Sequence, residues 1–343
     1  MTLHVLNDIH LGVQRSGGTT PATALALRQK LLAGTREMLE QINGDLLVNG
    51  DLFDGADIPR ADMLEAVRMF STWLDRDVGD LFLANGNHDL DKASFRLSSF
   101  QFFAQLLCGL YPDRVVHIAE GTYIEQHDVY VLPHLPNQDL ANLALEQVPA
   151  CRALFVHMNY DNQFAVEMDH SLNMSREQAE KLPVEYIIFG HEHQARTELG
   201  GKVVIVGNQL SSSISDCLGP AQKYRLELAP TGLKFHQTWT AEGSFEEQDW
   251  RDLNDRGDFI RVTGTATPAE AAKVVDVVAR FRRTAGALVI TNAVKVGEVD
   301  DGAEMALTHE EITSFNVMAA LREFLGPEDA AEVDAIMKEH QNA

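Results

Sequence analysis

Short apolar runs alternate with amphipathic stretches along the first third of the chain. Apolar runs with the length of buried strands lie at 3–7, 45–49 and 81–84. Apolar residues at helical spacing predict helices between and after these strands, at 22–42, 60–74 and 98–108. Alternating strands and helices are typical of an α/β layered fold.

The middle of the chain is richer in strands. Strands are predicted at 115–118, 128–132, 153–157, 186–189, 202–206 and 224–228, and helices at 138–145 and 175–182. This order fits two stacked sheets with helices outside them. We therefore expect a first domain at 1–240.

The next segment has its own pattern. A strand is predicted at 258–263. Thr267 then serves as an N-cap and Pro268 as the first residue of a helix that runs to about Arg283. Another strand is predicted at 287–291. The segment 241–297 is therefore interpreted as a small βαβ domain, either a capping domain or a generic accessory unit.

The last segment, 298–343, begins with an acidic linker. Thr308 and Glu311 form a capping box for a helix with an apolar stripe, and Gly326-Pro327 separates it from a second helix. The pattern predicts a helical hairpin. Its apolar stripe needs a covering surface, supplied either by a partner or by the body of the same chain.

Charge and cysteine content narrow the function classes. The formal net charge is −23, which disfavours a simple nucleic-acid binder, although metal ions and a partner could supply positive charge at a site. No apolar run reaches the roughly 18 residues that span a bilayer. The N-terminus lacks a charged leader region, so we expect a cytoplasmic protein. Cys108, Cys151 and Cys217 are far apart, as expected for reduced thiols.

Five short motifs follow predicted strands, where ligands of α/β sheets usually bind. They are Asp8-Ile9-His10, Gly50-Asp51-Leu52-Phe53-Asp54, Gly86-Asn87-His88-Asp89, Val156-His157 and Gly190-His191-Glu192-His193. Asp, His and an Asn oxygen suit Mn²⁺, Fe or Zn²⁺. A carboxylate such as Asp51 can bridge two ions, and two ions about 3.5–4 Å apart can clamp a phosphate and activate water.

This series resembles the calcineurin-like metallophosphoesterase superfamily. The resemblance implies a four-layer α/β/β/α sandwich for residues 1–240 and a pair of divalent metal ions. It also implies that Asp51 is shared and that the other ligands form two sets. The first set is Asp8, His10 and His193, and the second is Asn87, His157 and His191.

Two further residues are implied as catalytic groups that do not bind metal. His88 would donate a proton to the leaving oxygen or stabilise charge on the phosphate. Asp54 would pair with His88, because a carboxylate keeps an imidazole charged and oriented. A loop cap for Asp54 and a purely structural hydrogen bond for His88 are the alternatives. His134 is expected in a surface loop, and Asn208 is a candidate for the rim of the site.

The start Asp8-Ile9-His10-Leu11-Gly12, together with Gly50-Asp51-Leu52-Phe53-Asp54, is similar to SbcD-type nuclease subunits and to the recombination nuclease of T-even bacteriophages. This likeness implies an exo- and endonuclease acting on DNA, with Mn²⁺ as the expected metal and Mg²⁺, Fe²⁺ or Zn²⁺ as alternatives. It implies an SbcC-type, SMC-like ATPase partner that binds the C-terminal helices. A phage-encoded protein would act in the host cytoplasm.

The likeness also implies a homodimer through the helices at 98–108 and 60–74, although those helices could equally belong to the core. Two other functions stay open at this stage. One is a stand-alone phosphodiesterase or phosphatase for small nucleotides. The other is a DNA-end-binding subunit without catalysis.

Overall fold

The computed structural model describes residues 2–14, 20–91, 96–162 and 171–297. The predicted helical hairpin at 298–343 lies outside the described residues. By internal contacts, the described residues belong to one compact unit that ends at Gly297. The boundary predicted between 240 and 241 therefore falls inside a single compact unit, and a separate capping domain stays a prediction.

The first large sheet has six strands, whose bounds are β1 Leu3–Leu6, β2 Asp45–Asn49, β3 Leu81–Ala84, β4 Val115–Ile118, β13 Gln222–Ala229 and β14 Gly232–Thr240. Their order is β14-β13-β1-β2-β3-β4. Strands β1 to β4 pair in parallel, and β13 pairs antiparallel with both β1 and β14. Parallel pairing brings the carboxyl ends of β1, β2 and β3 to one edge of the sheet.

The second large sheet also has six strands, β5 Thr122–Ile124, β6 Val129–Leu132, β7 Cys151–His157, β10 Val184–Gly190, β11 Arg196–Glu198 and β12 Val203–Ile205. Their order is β11-β12-β10-β7-β6-β5. The central strands β7 and β10 pair in parallel from Val184 opposite Cys151 to Gly190 opposite His157. The short strands β8 Asn159–Tyr160 and β9 Asn173–Met174 form a separate parallel pair.

The helices of the described residues are α1 Pro21–Gln41, α2 Arg60–Asp75, α3 Ser99–Leu110, α4 Gln138–Glu146, α5 Arg176–Lys181, α6 Ile214–Cys217 and α7 Ala271–Thr284. Capping boxes begin several of them, for example at Thr20, Ser98 and Ser175. Short 3₁₀ turns lie at Glu125–His127, Leu199–Gly201 and Pro268–Glu270.

Three apolar clusters hold the layers together. One cluster between the sheets joins Val5 and Leu47 of the first to Phe155 and Ile188 of the second. A second lies between the first sheet and helices α1, α2 and α3, and a third lies between the second sheet and helices α4 and α5. The predicted four-layer α/β/β/α sandwich is therefore confirmed.

A small third sheet follows the sandwich, with strands β15 Phe245–Asp249, β16 Phe259–Thr263 and β18 Val289–Asn292 in the order β15-β16-β18. All three strands are parallel, and α7 connects β16 to β18. The short strands β17 Thr265–Ala266 and β19 Lys295–Val296 pair beside it. The predicted strand–helix–strand order is present, with its own apolar cluster around Trp250 and Ile260.

Strands β14 and β15 are absent from the sequence prediction. Their residues, Gly232–Thr240 and Phe245–Asp249, are mostly polar or charged and partly exposed. Each strand lies at the edge of its sheet, where only one side needs a neighbour. These two edge strands therefore lack the continuous apolar run that predicted the central strands.

No helix in the described ranges is both long enough and apolar enough to cross a lipid bilayer. Cys108, Cys151 and Cys217 are all free, as predicted.

Candidate metal centre

The predicted ligands lie in loops at the carboxyl ends of strands from both large sheets. Asp8 and His10 follow β1, Asp51 follows β2 and Asn87 follows β3. His157 is the last residue of β7, and His191 and His193 follow β10. The structure thus brings all seven predicted ligands together at one end of the sandwich.

The backbone at four of these ligands is in the left-handed region. The φ angles are 52° at Asp8, 54° at His10, 49° at Asp51 and 86° at His191. Residues with side chains adopt such angles uncommonly, so four of them at one end of the sandwich point to a functional site. The loops are held by backbone hydrogen bonds, such as Leu11 N to Leu52 O at 2.8 Å.

Two glycines allow the loops to approach the ligands. A Cβ atom on Gly50, whose φ is +87°, would lie 2.1 Å from His157 Nδ1. A Cβ atom on Gly86 would lie 2.1 Å from Asp51 Oδ1. Any larger residue at either position would displace a predicted ligand.

We call Asp8, His10 and His193 set A. One ligand atom from each lies within 4.8 Å of the others. His10 Nε2 and His193 Nε2 are 3.1 Å apart. Each neutral imidazole has one nitrogen with a free lone pair, which can accept a hydrogen bond or bind a cation, so these two nitrogens are placed to share a metal ion.

We call Asn87, His157 and His191 set B. Asn87 Oδ1 lies 3.1 Å from His157 Nε2 and 2.9 Å from His191 Nδ1. Asp51 Oδ2 lies 3.2 Å from His157 Nε2 and 4.0 Å from His10 Nε2. Asp51 therefore faces both sets, as a bridging carboxylate must. Nitrogen and oxygen donors in this mixture fit borderline divalent ions.

The charges of the centre are strongly coupled. Burial alone would lower the pKa of His10, but Asp54, Asp51 and Asp8 raise it to about 9. Burial likewise opposes the raised pKa of His157, which Asp51 brings to about 10. Burial would raise the pKa of Asp51, but His157 and His10 hold it well below its usual range. Without metal, the acidic residues would therefore hold protons on two of the ligand histidines.

The structure corrects the predicted pairing of His88 with the Asp54 carboxylate. His88 Nδ1 lies 2.8 Å from the backbone carbonyl oxygen of Asp54, and its hydrogen bond goes there. The Asp54 carboxylate faces His10 instead, with Oδ1 3.5 Å from His10 Nδ1. The motif spacing could not show which atoms of Asp54 each ring would meet.

Three supporting groups were not identified from the sequence. Asp216 accepts a hydrogen bond from His193 Nδ1 at 2.7 Å, and the carbonyl of Asn49 accepts one from His157 Nδ1 at 3.0 Å. Asp89 accepts from Phe53 N and Gly86 N, and burial raises its pKa to about 7. Asp89 stands inside a recognised motif, whereas Asp216 had no such signal.

His134 and Asn208 also differ from expectation. His134 is packed against the centre, with Nδ1 3.3 Å from His157 O, and burial lowers its pKa to about 4. Asn208 is buried and pairs with the Lys223 ammonium, so it does not lie at an exposed rim.

A cavity of about 380 Å³ opens onto the centre. Its lining includes ligands of both sets, the candidate catalytic groups Asp54 and His88, one valine and three serines. The lining residues are His10, Val13, Asp51, Asp54, His88, His191, His193, Ser212, Ser213 and Ser215. A phosphate in this cavity would contact the ligand centre and His88 together.

Comparison with known proteins gives a family match over most of the sandwich. The model of the calcineurin-like phosphoesterases matches residues 1–195. A search of curated proteins finds no match.

Solved structures with some similarity include an archaeal phosphodiesterase, with 11% identity, a TM-score of 0.34, and coverage of 69% of this chain and 99% of that one. The protein TT1561 of Thermus thermophilus has 12% identity, a TM-score of 0.37 and the same coverage. A 5'-nucleotidase precursor from the same organism has 15% identity, a TM-score of 0.31, and coverage of 69% and 53%.

The matched segment contains all seven predicted ligands, and the structure brings them together. The chain therefore belongs to the calcineurin-like phosphoesterase family, whose members are metal-dependent phosphoester hydrolases.

Proposed function

We propose that this chain is a DNA nuclease of the SbcD type, which hydrolyses phosphodiesters with two divalent ions, most readily Mn²⁺. The observation that carries the proposal is the convergence of sets A and B on Asp51 beneath an open cavity. Set A and Asp51 would hold one ion, and set B and Asp51 the other. Two bound ions supply positive charge that activates water and stabilises phosphate oxygens.

His88 is the proposed proton donor. A carbonyl oxygen can only accept, so the hydrogen bond to Asp54 O keeps a proton on His88 Nδ1. The other ring nitrogen, Nε2, is then the atom that exchanges a proton with the substrate. His88 lines the cavity, and its backbone N donates to Asp51 Oδ1 at 2.9 Å. That bond ties its position to the shared carboxylate.

The small third sheet supports DNA as the substrate through its arginines. Arg280 and Arg283 are exposed on α7, whereas Arg261 pairs with Glu247 and Arg251 lies against the Trp250 ring. Exposed arginines can bind phosphates of an extended polynucleotide. A net charge of −23 leaves few such groups, so we propose that an SbcC-type ATPase, bound by the segment 298–343, supplies further DNA affinity.

A groove between α2 and α3 supports the proposed homodimer. It has a volume of about 560 Å³ and is lined by apolar side chains, including Leu64, Leu97 and Phe102. Phe102 is 49% exposed and Leu97 is 54% exposed. Phe100 and Phe103 of the same helix are core residues, so α3 contributes one face to the core and leaves another for a second copy.

A small-nucleotide phosphodiesterase is the second candidate, and the acidity of the chain favours it. A substrate with one phosphodiester needs no basic surface beyond the centre. The two candidates differ in the substrates that they predict, not in the metal centre.

One substrate comparison tests the proposal. The full chain with Mn²⁺ is offered linear duplex DNA, single-stranded circles, cyclic nucleotides and p-nitrophenyl phosphate esters, with and without a co-expressed ATPase. We expect cleavage of DNA and loss of cleavage in Asp51→Ala. The control Asp45→Asn should cleave normally, because Asp45 is a buried carboxylate at the start of β2, away from the centre, where it pairs with His127. Hydrolysis of small esters alone would contradict the nuclease and favour the second candidate.

A further inference from the structure

We propose that Asp216 is a positioning residue for the set A ligand His193, and that binding of the set A ion depends on it. The inference rests on the metal centre of the proposed function and adds a residue outside the matched segment 1–195. Asp216 Oδ1 lies 2.7 Å from His193 Nδ1. A carboxylate in this position fixes the ring and leaves Nε2 as the lone-pair nitrogen for a metal.

The Asp216 carboxylate is held on its other side by the loop before it. Its Oδ2 accepts hydrogen bonds from Ser212 N at 2.9 Å, Ser212 Oγ at 3.0 Å and Ser213 N at 2.9 Å. Three donors on one oxygen leave Oδ1 as the atom for His193. The carboxylate therefore has a fixed direction before any metal binds.

Helix α6, which carries Asp216, is itself anchored. Its residues Ile214 and Cys217 are buried in the same cluster as Phe259 and Val289 of the third sheet. This short helix packs against β16 and β18. The position of Asp216 is thus set in part by packing on the third sheet, away from the loops that carry the seven ligands.

His193 needs such support more than the other members of set A. Its side chain is 32% exposed, whereas the side chain of His10 is 5% exposed. Packing fixes the direction of the His10 ring, but the half-open surroundings of His193 leave rotation about its side-chain bonds available. The hydrogen bond to Asp216 is the polar contact that orients its Nδ1 side.

The electrostatics agree with this role. Burial would raise the pKa of Asp216, but the hydrogen bond and charge of His193 lower it well below its usual range. Asp216 therefore remains a carboxylate and an acceptor. Its negative charge also makes the His193 ring a more basic ligand.

The chain offers a matched control for this pair. Asp45 Oδ2 lies 2.7 Å from His127 Nε2, and both side chains are buried. Asp45 also accepts a backbone hydrogen bond, from Asp80 N at 2.9 Å. The pair has the same chemistry as Asp216 with His193, but it lies at the opposite end of β2 from the metal centre.

The test measures Mn²⁺ binding to the metal-free full chain by titration calorimetry, for wild type, Asp216→Ala, Asp216→Asn and Asp45→Asn. We expect two ions in wild type and in Asp45→Asn. In Asp216→Ala, we expect one of the two dissociation constants to rise about 10- to 100-fold while the other is unchanged. In Asp216→Asn, the rise in that dissociation constant should be smaller than in Asp216→Ala. The amide oxygen can still accept a hydrogen bond from His193, but the amide nitrogen cannot accept one from the serines.

Electron paramagnetic resonance gives a second readout that a loss of stability alone would not produce. At two equivalents of Mn²⁺, wild type should show a coupled pair of ions, and Asp216→Ala should show an isolated ion. Unchanged binding in both Asp216 variants, or an equal loss in Asp45→Asn, would overturn the positioning role. Wild type without Mn²⁺ binding would overturn the metal centre, and the role of Asp216 with it.

Discussion

The two ligand sets of the metal centre differ in what lies behind their histidines. In set A, His10 faces the Asp54 carboxylate and His193 donates to the Asp216 carboxylate. In set B, His157 donates to the neutral backbone carbonyl of Asn49 at 3.0 Å. Set A therefore has additional negative charge behind its ligands, whereas His157 of set B is positioned by the main chain of the first sheet.

The difference in charge between the two sets predicts the order in which the two cations bind. The ions repel each other, so the second binds more weakly than the first. Carboxylate partners strengthen histidine ligands, and set A also contains the Asp8 carboxylate. We therefore expect set A to take the first ion and set B the second.

Removal of the shared ligand should abolish both sites. Asp51→Ala takes away the carboxylate that faces His10 and His157, so neither set keeps a complete ligand shell. We expect hydrolysis to fall to background and bound Mn²⁺ to fall from two ions per chain to less than one, measured by elemental analysis after dialysis. Asp45→Asn is the control. Retention of two ions in Asp51→Ala would show that Asp51 does not bridge.

Removal of the proposed proton donor should spare both sites. His88→Ala leaves the backbone bond from residue 88 to Asp51 in place, so the metal centre persists. The turnover rate should fall about 10²- to 10⁴-fold, the usual contribution of a general acid, while two Mn²⁺ ions stay bound. Loss of metal in His88→Ala would instead identify His88 as a ligand.

Acid should release metal from both sets. His10, with a pKa of about 9, and His157, with a pKa of about 10, hold protons in the metal-free protein, and Mn²⁺ must displace them. Apparent Mn²⁺ affinity should therefore rise with pH, on the order of tenfold per pH unit for each proton displaced.

The stability of the metal-free protein should change in the opposite direction. A histidine pKa raised above its ordinary 6.5 contributes stability below that value, and the contribution is lost as pH rises through about 9 to 10. Calorimetric binding and thermal unfolding at pH values of about 6.5 and 8.5 test both trends. Mn²⁺ affinity that does not change between these pH values would contradict the displacement of protons from His10 and His157.

Weakening the partner of His10 should have the smallest effect. Asp54→Asn removes the charge behind this ligand but keeps the backbone carbonyl that binds His88. We expect about a tenfold loss of affinity at one site only, at the low end of the range found for such partners. A change in the rate at saturating Mn²⁺, with affinity unchanged, would return Asp54 to the proton-transfer role predicted from sequence.

The contrast between ligands and their partners explains what could be predicted from the sequence. Asp8, His10, Asp51 and His157 are in short motifs after apolar strands, and the parallel strands bring those motifs to one edge. The four-layer fold follows from the same alternation. Polar edge strands such as Gly232–Thr240 carry no such signal.

The partners depend on directions in space. Asp216 lies 23 positions from His193, in a loop oriented by serine hydrogen bonds and by packing on the third sheet. Asp54 meets two histidines in space, because its carboxylate faces His10 while its backbone carbonyl binds His88. Neither fact is encoded in residue type or spacing.

The two-ion centre is tested most sharply by adding Mn²⁺ in steps to the metal-free full chain while the hydrolysis of linear duplex DNA is followed. If two unequal sites act together, the rate should stay near background through the first equivalent and rise steeply during the second. Full activity at one equivalent would contradict the two-ion centre. No hydrolysis at any ratio, with or without the ATPase partner, would contradict the proposed nuclease.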